Sequence, residues 1–440
     1  LGSIYGSHAQ AAGVDGYKAL VCVFLLGGMD NHDTVIPYDQ SSYDRYAQIR
    51  SSLISASGGS RDRANLLALS PDNASSFDGR EFALPPQLSG IQSLFQQGNA
   101  AIVGNVGPLI QATTKTQFDA ESVALPARLF SHNDQQSTWQ SSSPEGAQFG
   151  WGGRFADAAV ASGANTSQEF TNITSLGNEL FLTGQTTNPY QVSLGGAATV
   201  EVVQNLINDG SPSSIPAESH FRGLNYMGSN LLERDMAAAM QAAYDANALY
   251  NDASANAAAL TTQFPTTFLG QQLSAVARSI SVRGNLGVNR QVFFVGIGGF
   301  DTHDAQATSL PLLHTQIDGA VTAFYQAMQE LNLGSDVTLF TASDFGRTLA
   351  VNGNGTDHGW GSHHFVVGDA VQGRQILGDM PISDFGHDLD SGGGRLIPST
   401  SVEQFAAPMG RWFGLNDSEV LSSLPNRANF SSDLSTLLSA

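Results

Sequence analysis

The chain has 440 residues, enough for one large α/β domain or two ordinary ones, and its 41% hydrophobic content supports a substantial core. Only 13% of residues are charged, with 39 acidic against 19 basic side chains, so the formal net charge of -20 reflects a scarcity of bases. That scarcity argues against nucleic-acid binding and against docking on anionic lipid, both of which need clustered Lys and Arg; the single cysteine, Cys22, excludes an intrachain disulfide.

Residues 1–13, LGSIYGSHAQAAG, read as a signal-peptide remnant in which Ala9-Gln10-Ala11 suits a signal peptidase, with a frayed terminus as the alternative. Residues 14–440 read as one domain. The run at 18–26 is too continuously apolar for a strand with one wet face, so it is expected as a central parallel strand covered on both sides, with Cys22 buried and inert inside it. Leu88, Ile91, Leu94 and Phe95 fall at helical spacing and lead into a second strand at 100–106, a strand, crossover helix, strand arrangement. A polar cluster, SHNDQQSTWQ, starts at Ser131, and a helix is expected from Gly153. Residues 163–227, rich in Ser, Thr, Asn and Gly, suggest an inserted, partly β subregion.

The Ala-rich stretch 231–261 predicts a long helix or helix pair, and 268–281 a second helix packed on the sheet. A strand at 291–297, an amphipathic helix at 314–331 and a strand at 337–341 follow. Beyond them lie a polar loop at 352–362, a short strand at 364–367, an SGGGR stretch at 391–395 that reads as a hairpin turn before an anion cradle, and a final helix at 402–413. No stretch reaches the length of a membrane helix. The pattern predicts an α/β fold with a mostly parallel central sheet flanked by helices and an inserted subregion.

Three of the apolar runs end in small residues and then an aspartate, at Asp30, Asp301 and Asp344, and in open parallel sheets ligands bind at the carboxyl ends of strands. Histidines follow each: Asp30-Asn31-His32, Asp301-Thr302-His303, and, further on, Asp357-His358-Gly359. Carboxylates and imidazoles gathered at one sheet edge predict a metal site, with Asp30, Asp301, His303, Asp344, Asp357 and His358 as candidate ligands. Asp301 and His303, two apart in extended chain, share a face. Capping of the next helix is the competing role for Asp301, with His303 on loop carbonyls, and capping of the following turn the competing role for Asp33 and His32 beside Asp30. Arg347, in Ser343-Asp344-Phe345-Gly346-Arg347, either grips an oxyanion or neutralises Asp344 in a buried pair. Ser131-His132-Asn133-Asp134 brings a hydroxyl, an imidazole and a carboxylate together, although triads normally draw on separate elements. Mixed carboxylate and imidazole donors favour Zn, Mn or Fe, with Mg possible if waters complete the shell.

The strings FLLGGMDNHDTVIPY, GGFDTHDAQ, SDFGRT, TDHGWGSHHFVVGDAV and WFGL, the last followed by Leu424-Pro425-Asn426, together resemble the DUF1501 family of mostly exported bacterial proteins. That family is similar to the alkaline phosphatase and sulfatase superfamily. The resemblance implies an alkaline phosphatase-like sheet with one or two divalent ions at the strand ends. It makes Asp30 the first-strand ligand, Asp301 and His303 a second cluster, Asp344 the third-strand aspartate and His358 the late histidine. Two departures stand out: Phe345 occupies the place where the superfamily usually has a histidine, and the Asp301 to His303 spacing is narrow, so one metal site is expected to be altered or missing.

No C/S-x-P-S-R motif is present. Phosphatase-like relatives place Ser or Thr at a helix start after an early strand, which makes Ser131 the expected nucleophile, with Thr113, Thr114 and Thr138 behind it and His132 beside it as catalytic partner or ligand. The implied activity is metal-dependent hydrolysis of phosphate or sulfate esters, on a small molecule or polymer, in the periplasm or outside the cell, with Arg347 on the non-bridging oxygens. The alternative is a non-catalytic exported binding or assembly protein that keeps the fold and a structural metal.

Overall fold

The computed structural model describes residues 16–177, 179–197 and 230–439, so the expected signal-peptide remnant and residues 198–227 of the expected insertion lie outside the described residues. β1 (Lys18–Leu26) is buried along its length. Its odd-numbered side chains, Ala19, Val21, Val23 and Leu25, enter one apolar cluster. Leu20, Cys22 and Phe24 enter another on the opposite face. This is why the run carries no polar alternation: both faces of the strand are covered.

Three short strands, β2 (Ile36–Pro37), β3 (Leu67–Ala68) and β4 (Phe82–Leu84), form a small separate sheet. The central ten-stranded sheet is built from β1, β5 (Ala100–Gly107), β6 (Asn172–Thr174), β7 (Tyr190–Ser193), β8 (Gly196–Ala197), β9 (Arg290–Gly298), β10 (Val337–Ser343), β13 (Ser362–Val367), β14 (Ile376–Gly378) and β15 (Thr400–Ser401). Its order is β14-β5-β13-β10-β1-β9-β6-β7-β8, with β15 also pairing β5. β1 pairs in parallel with both β9 and β10. β6 and β7 extend the β9 side in parallel, so the described part of the expected insertion continues the main sheet.

β5 follows the helix Ser89–Gln97 and runs parallel to β1 in the same sheet, separated from it by β10 and by β13, which is antiparallel to both β10 and β5. The chain leaves β10 into a two-stranded hairpin, β11 (Arg347–Asn352) and β12 (Gly355–His358), and turns straight back as β13. A return without a helical crossover has to be antiparallel. The stretch expected as a polar loop is thus partly the second hairpin strand, ending on His358.

Helices cover the two faces. Helices Phe268–Ser281 and Gln306–Glu330 place Leu273, Val276, Ile317, Val321 and Phe324 in the first cluster. Helices Trp151–Ala161 and Val402–Phe413 place Trp151, Phe155, Phe405 and Met409 in the second. At roughly 1.5–3 kcal/mol for each fully buried large apolar side chain, these two layers hold the sheet rigid beneath its carboxyl edge. There the β1 chain turns at Gly27, with φ +116°, so close to the next strand's loop that a Cβ would lie 2.4 Å from the Asp301 amide. Only glycine permits that approach, and it brings the ends of β1, β9 and β10 to one place.

Candidate metal centre

Ser343, the last residue of β10, donates to Leu25 O at 2.6 Å and accepts from the Met29 amide at 2.8 Å, tying the ends of β10 and β1 together. Asp344 follows with no exposed surface. One carboxylate oxygen accepts the Gly27 amide at 3.1 Å; the other accepts Gln136 Nε2 at 2.8 Å and faces His132 Nδ1 at 2.7 Å. His132 opens the helix His132–Ser141 and Gln136 stands one turn on, so a single helix face grips the buried acid. A carboxylate acceptor at Nδ1 places the proton of the neutral ring there and leaves Nε2 as the atom that could ligate a metal. The Asp344 hydrogen bond raises the pKa of His132 above its usual range, outweighing the opposing effect of burial.

His358 is oriented in the same way from another direction. Its Nδ1 donates to the Phe130 carbonyl at 2.7 Å. Phe130 has φ +74°, a left-handed conformation that is costly for a bulky residue and is held here by the surrounding loop. Burial lowers the pKa of His358 below its usual value, and the Phe130 carbonyl offsets this only partly, which favours the neutral ring. His303 faces Asp357 Oδ1 through Nδ1 at 3.3 Å.

The three Nε2 atoms converge on Asp301. His303 and His358 each lie 3.1 Å from its Oδ1, and His132 lies 3.5 Å from its Oδ2. Burial by itself would raise the Asp301 pKa, but the hydrogen bond and charge of Arg347 hold it below the usual carboxylate range. The two Nε2 atoms of His303 and His358 stand 2.9 Å apart. With Nδ1 of His358 donating to the Phe130 carbonyl, its Nε2 is left as an acceptor that faces His303 Nε2 and Asp301. Ligand atoms of His132, Asp301 and His358 lie within 4.8 Å of one another and could hold a metal ion. The donor set of imidazole nitrogens and one carboxylate fits a divalent transition metal or zinc. Asp301 and His303, half-exposed, leave the cluster open to solvent.

Other predicted residues are placed differently. Asp301 and His303 do not share a strand, since β9 ends at Gly298; they meet because the loop folds back, with the His303 amide bonded to Asp301 O at 3.0 Å. Asp30 is fully buried, but Arg50 grips both its oxygens, at 2.7 and 3.1 Å, and the His32 and Asp33 amides and Gln306 Nε2 complete its shell. It is the N-cap of the short helix Asn31–Thr34, and no donor of the cluster is bonded to it. Asp344 stands behind His132, and Asp357 behind His303. Arg347 is buried, donating to Asp301 Oδ1 at 2.7 Å, to Gly27 O and to the hydroxyl and carbonyl of Thr356. It neutralises Asp301 rather than Asp344. The Ser131 hydroxyl donates to Asp134 Oδ2 at 3.0 Å, within its own helix turn.

Phe345 forms an apolar wall, its ring centroid 4.9 Å from that of His132 and 4.6 Å from that of His358. Gly28 makes room for it: a Cβ there would come within 2.5 Å of the ring. Gln136, Arg50, Gln306 and Thr356 were not singled out in the sequence. Only Gln136 carried a signal, its four-residue offset from His132.

These elements define an α/β protein whose mostly parallel sheet gathers three imidazoles and a carboxylate at its carboxyl edge. Residues 17–427 match the family described as a protein of unknown function, DUF1501, and the chain belongs to that family. Similar solved structures include Ps i-CgsB in complex with k-i-k-neocarrahexaose, at 9% identity over 96% of this chain and 75% of that one, TM-score 0.38. The zinc complex of the C-terminal periplasmic domain of EcEptC from Escherichia coli aligns at 9% identity over 91% and 84%, TM-score 0.36. The PsFucS1 sulfatase from Pseudoalteromonas sp. aligns at 8% over 92% and 68%, TM-score 0.36. No curated protein matches the sequence significantly. No helix among the described residues is long and apolar enough to cross a membrane.

Proposed function

We propose that this is an exported, divalent-metal-dependent hydrolase of phosphate or sulfate esters, working with one ion. The observation that carries the reading is the convergence of three Nε2 atoms on Asp301 while each Nδ1 faces an oxygen acceptor. Outer acceptors of this kind orient metal-ligating histidines. His132, His303, His358 and Asp301 would hold the ion, and Zn, Mn or Fe suits them better than Mg, which prefers oxygen. When bound, such an ion supplies Lewis-acid polarisation of the ester oxygen.

The chain's own groups do the rest. Arg347 keeps Asp301 ionised, Asp344 and the Phe130 carbonyl fix two tautomers, and Phe345 screens one side of the rings from water. Ser131 adjoins His132 at a helix start, where the peptide dipoles favour an oxyanion, and supplies the hydroxyl nucleophile in this reading, its proton directed at Asp134. Asp30 is left out of the ligand set, because Arg50 already neutralises it.

One observation favours the second reading, a non-catalytic exported binding or assembly protein with a structural metal: the guanidinium of Arg347 is taken up by protein acceptors and is not free for substrate oxygens. Elemental analysis of purified protein, followed by assay on aryl phosphate, phosphodiester and aryl sulfate before and after chelation, separates the two. The hydrolase reading predicts about one equivalent of metal and turnover that chelation abolishes. Bound metal with no turnover on any ester supports the second reading, and protein without metal removes both.

A further inference from the structure

We propose that Arg395 is the anion-recognition residue of this centre, receiving the charged oxygens of the ester; the proposal rests on the hydrolase reading above. An anionic ester needs a cation beside the ion, and this chain has only 19 basic side chains. Around the centre, Arg347 is buried against Asp301. Arg128 pairs with Asp134 at 3.3 Å and Glu145 at 4.0 Å, and Lys115 with Asp119 at 3.4 Å. Arg395 has no carboxylate partner among the described residues.

Its position is fixed from two sides. Nε donates to the His358 carbonyl at 2.8 Å and Nη1 to Gly392 O at 2.9 Å. The guanidinium lies over the Phe130 ring, 5.4 Å from its centroid, and Phe130 is the residue whose carbonyl orients His358. Arg395 therefore touches both a candidate ligand and the group that aims it. Nη2 has no protein acceptor among the described residues, and the side chain is half-buried, so part of a planar donor fork suited to phosphate or sulfate stays open.

The SGGGR stretch explains how the arginine is presented. The anion its amides cradle is internal: Gly392 N and Gly394 N donate to Asp390 Oδ1 at 2.7 and 2.8 Å, and Gly386 N to Oδ2 at 2.7 Å. Gly392, Gly393 and Gly394 all have positive φ, and a Cβ on Gly394 would lie 2.3 Å from that of Leu349. The Ser391 amide donates to Arg395 O at 2.9 Å and closes the turn. The loop is thus a rigid mount for one unpaired cation.

The test is calorimetric binding of inorganic phosphate and sulfate to the zinc-loaded protein, their inhibition of ester turnover, and metal content, for wild type, Arg395→Gln and Arg395→Lys. We expect Arg395→Gln to keep its metal while phosphate Kd and substrate KM rise roughly tenfold or more, a loss typical of a charged hydrogen bond, with kcat changed less. Arg395→Lys, which keeps the stem and the charge, should recover part of the loss and gives the same readout if the glutamine variant does not fold. Unchanged phosphate affinity in the variants, no oxyanion binding by wild type, or loss of metal from both variants would overturn the proposal. Wild type that binds metal and phosphate but turns over no ester would instead remove the hydrolase reading, and Arg395 would still be judged on phosphate affinity.

Discussion

Asp30 and Asp344 are both aspartates just past the end of a buried central strand, and both are fully enclosed. A buried carboxylate is costly unless charge and hydrogen bonds compensate it, so its neighbour decides its role. For Asp30 the neighbour is Arg50, a permanent cation that leaves nothing for a metal. For Asp344 it is His132, a group that passes the acid's influence to its far nitrogen. Asp344→Asn should therefore leave the fold intact by circular dichroism but weaken zinc binding roughly 10- to 100-fold, as loss of an outer-shell partner does. Chelator competition measures this, and an unchanged affinity would contradict the role given to Asp344. The sequence at both positions reads alike, strand, small residues, acid. What differs, Arg50 20 residues on and His132 212 residues back, is set by tertiary packing and not by local spacing.

Among elements, the strands that carry the site were readable because they are buried on both faces. The apolar run predicted at 291–297 is β9 (Arg290–Gly298), and that at 337–341 is β10 (Val337–Ser343). The helix predicted at 314–331 by its apolar spacing begins earlier, at Gln306. Its first turns carry Thr302- and Asp30-bonded Gln306 and the in-helix Pro311, residues without an amphipathic signature. The β11–β12 hairpin was not readable. It is short and polar, and its strands face the Arg347 network more than an apolar core, so neither helical nor alternating periodicity marks it. His358 stood out only as one of several clustered histidines. The direction of β13 was equally hidden, since an apolar run states burial but not orientation.

At the scale of the whole molecule, four histidines outside the cluster are buried and neutral. Burial lowers the pKa of His314 to about 3, of His363 to about 4 and of His364 to about 3, and that of His32 well below 6.5. In the unfolded chain these groups take up protons near 6.5, whereas the folded protein resists until far lower pH. The unfolded state thus binds more protons between roughly pH 6.5 and 4, and stability must fall as pH drops through that window. Each histidine contributes up to about 1.4 kcal/mol per pH unit, against a typical total stability of only about 5–15 kcal/mol. Urea midpoints should be flat from pH 8 to about 7 and decline steeply below 6.5. A midpoint unchanged down to pH 5 would show that the histidines are not buried neutral as described.

We propose one ion where His132, His303 and His358 meet Asp301, on a sheet edge where the buried Asp30 is closed off by an arginine. Anomalous scattering from zinc-soaked crystals tests it most directly. A single strong peak bounded by those four side chains, and none at Asp30, is the expected result. A peak against the Asp30 carboxylate, or none within the three-histidine cluster, would contradict it.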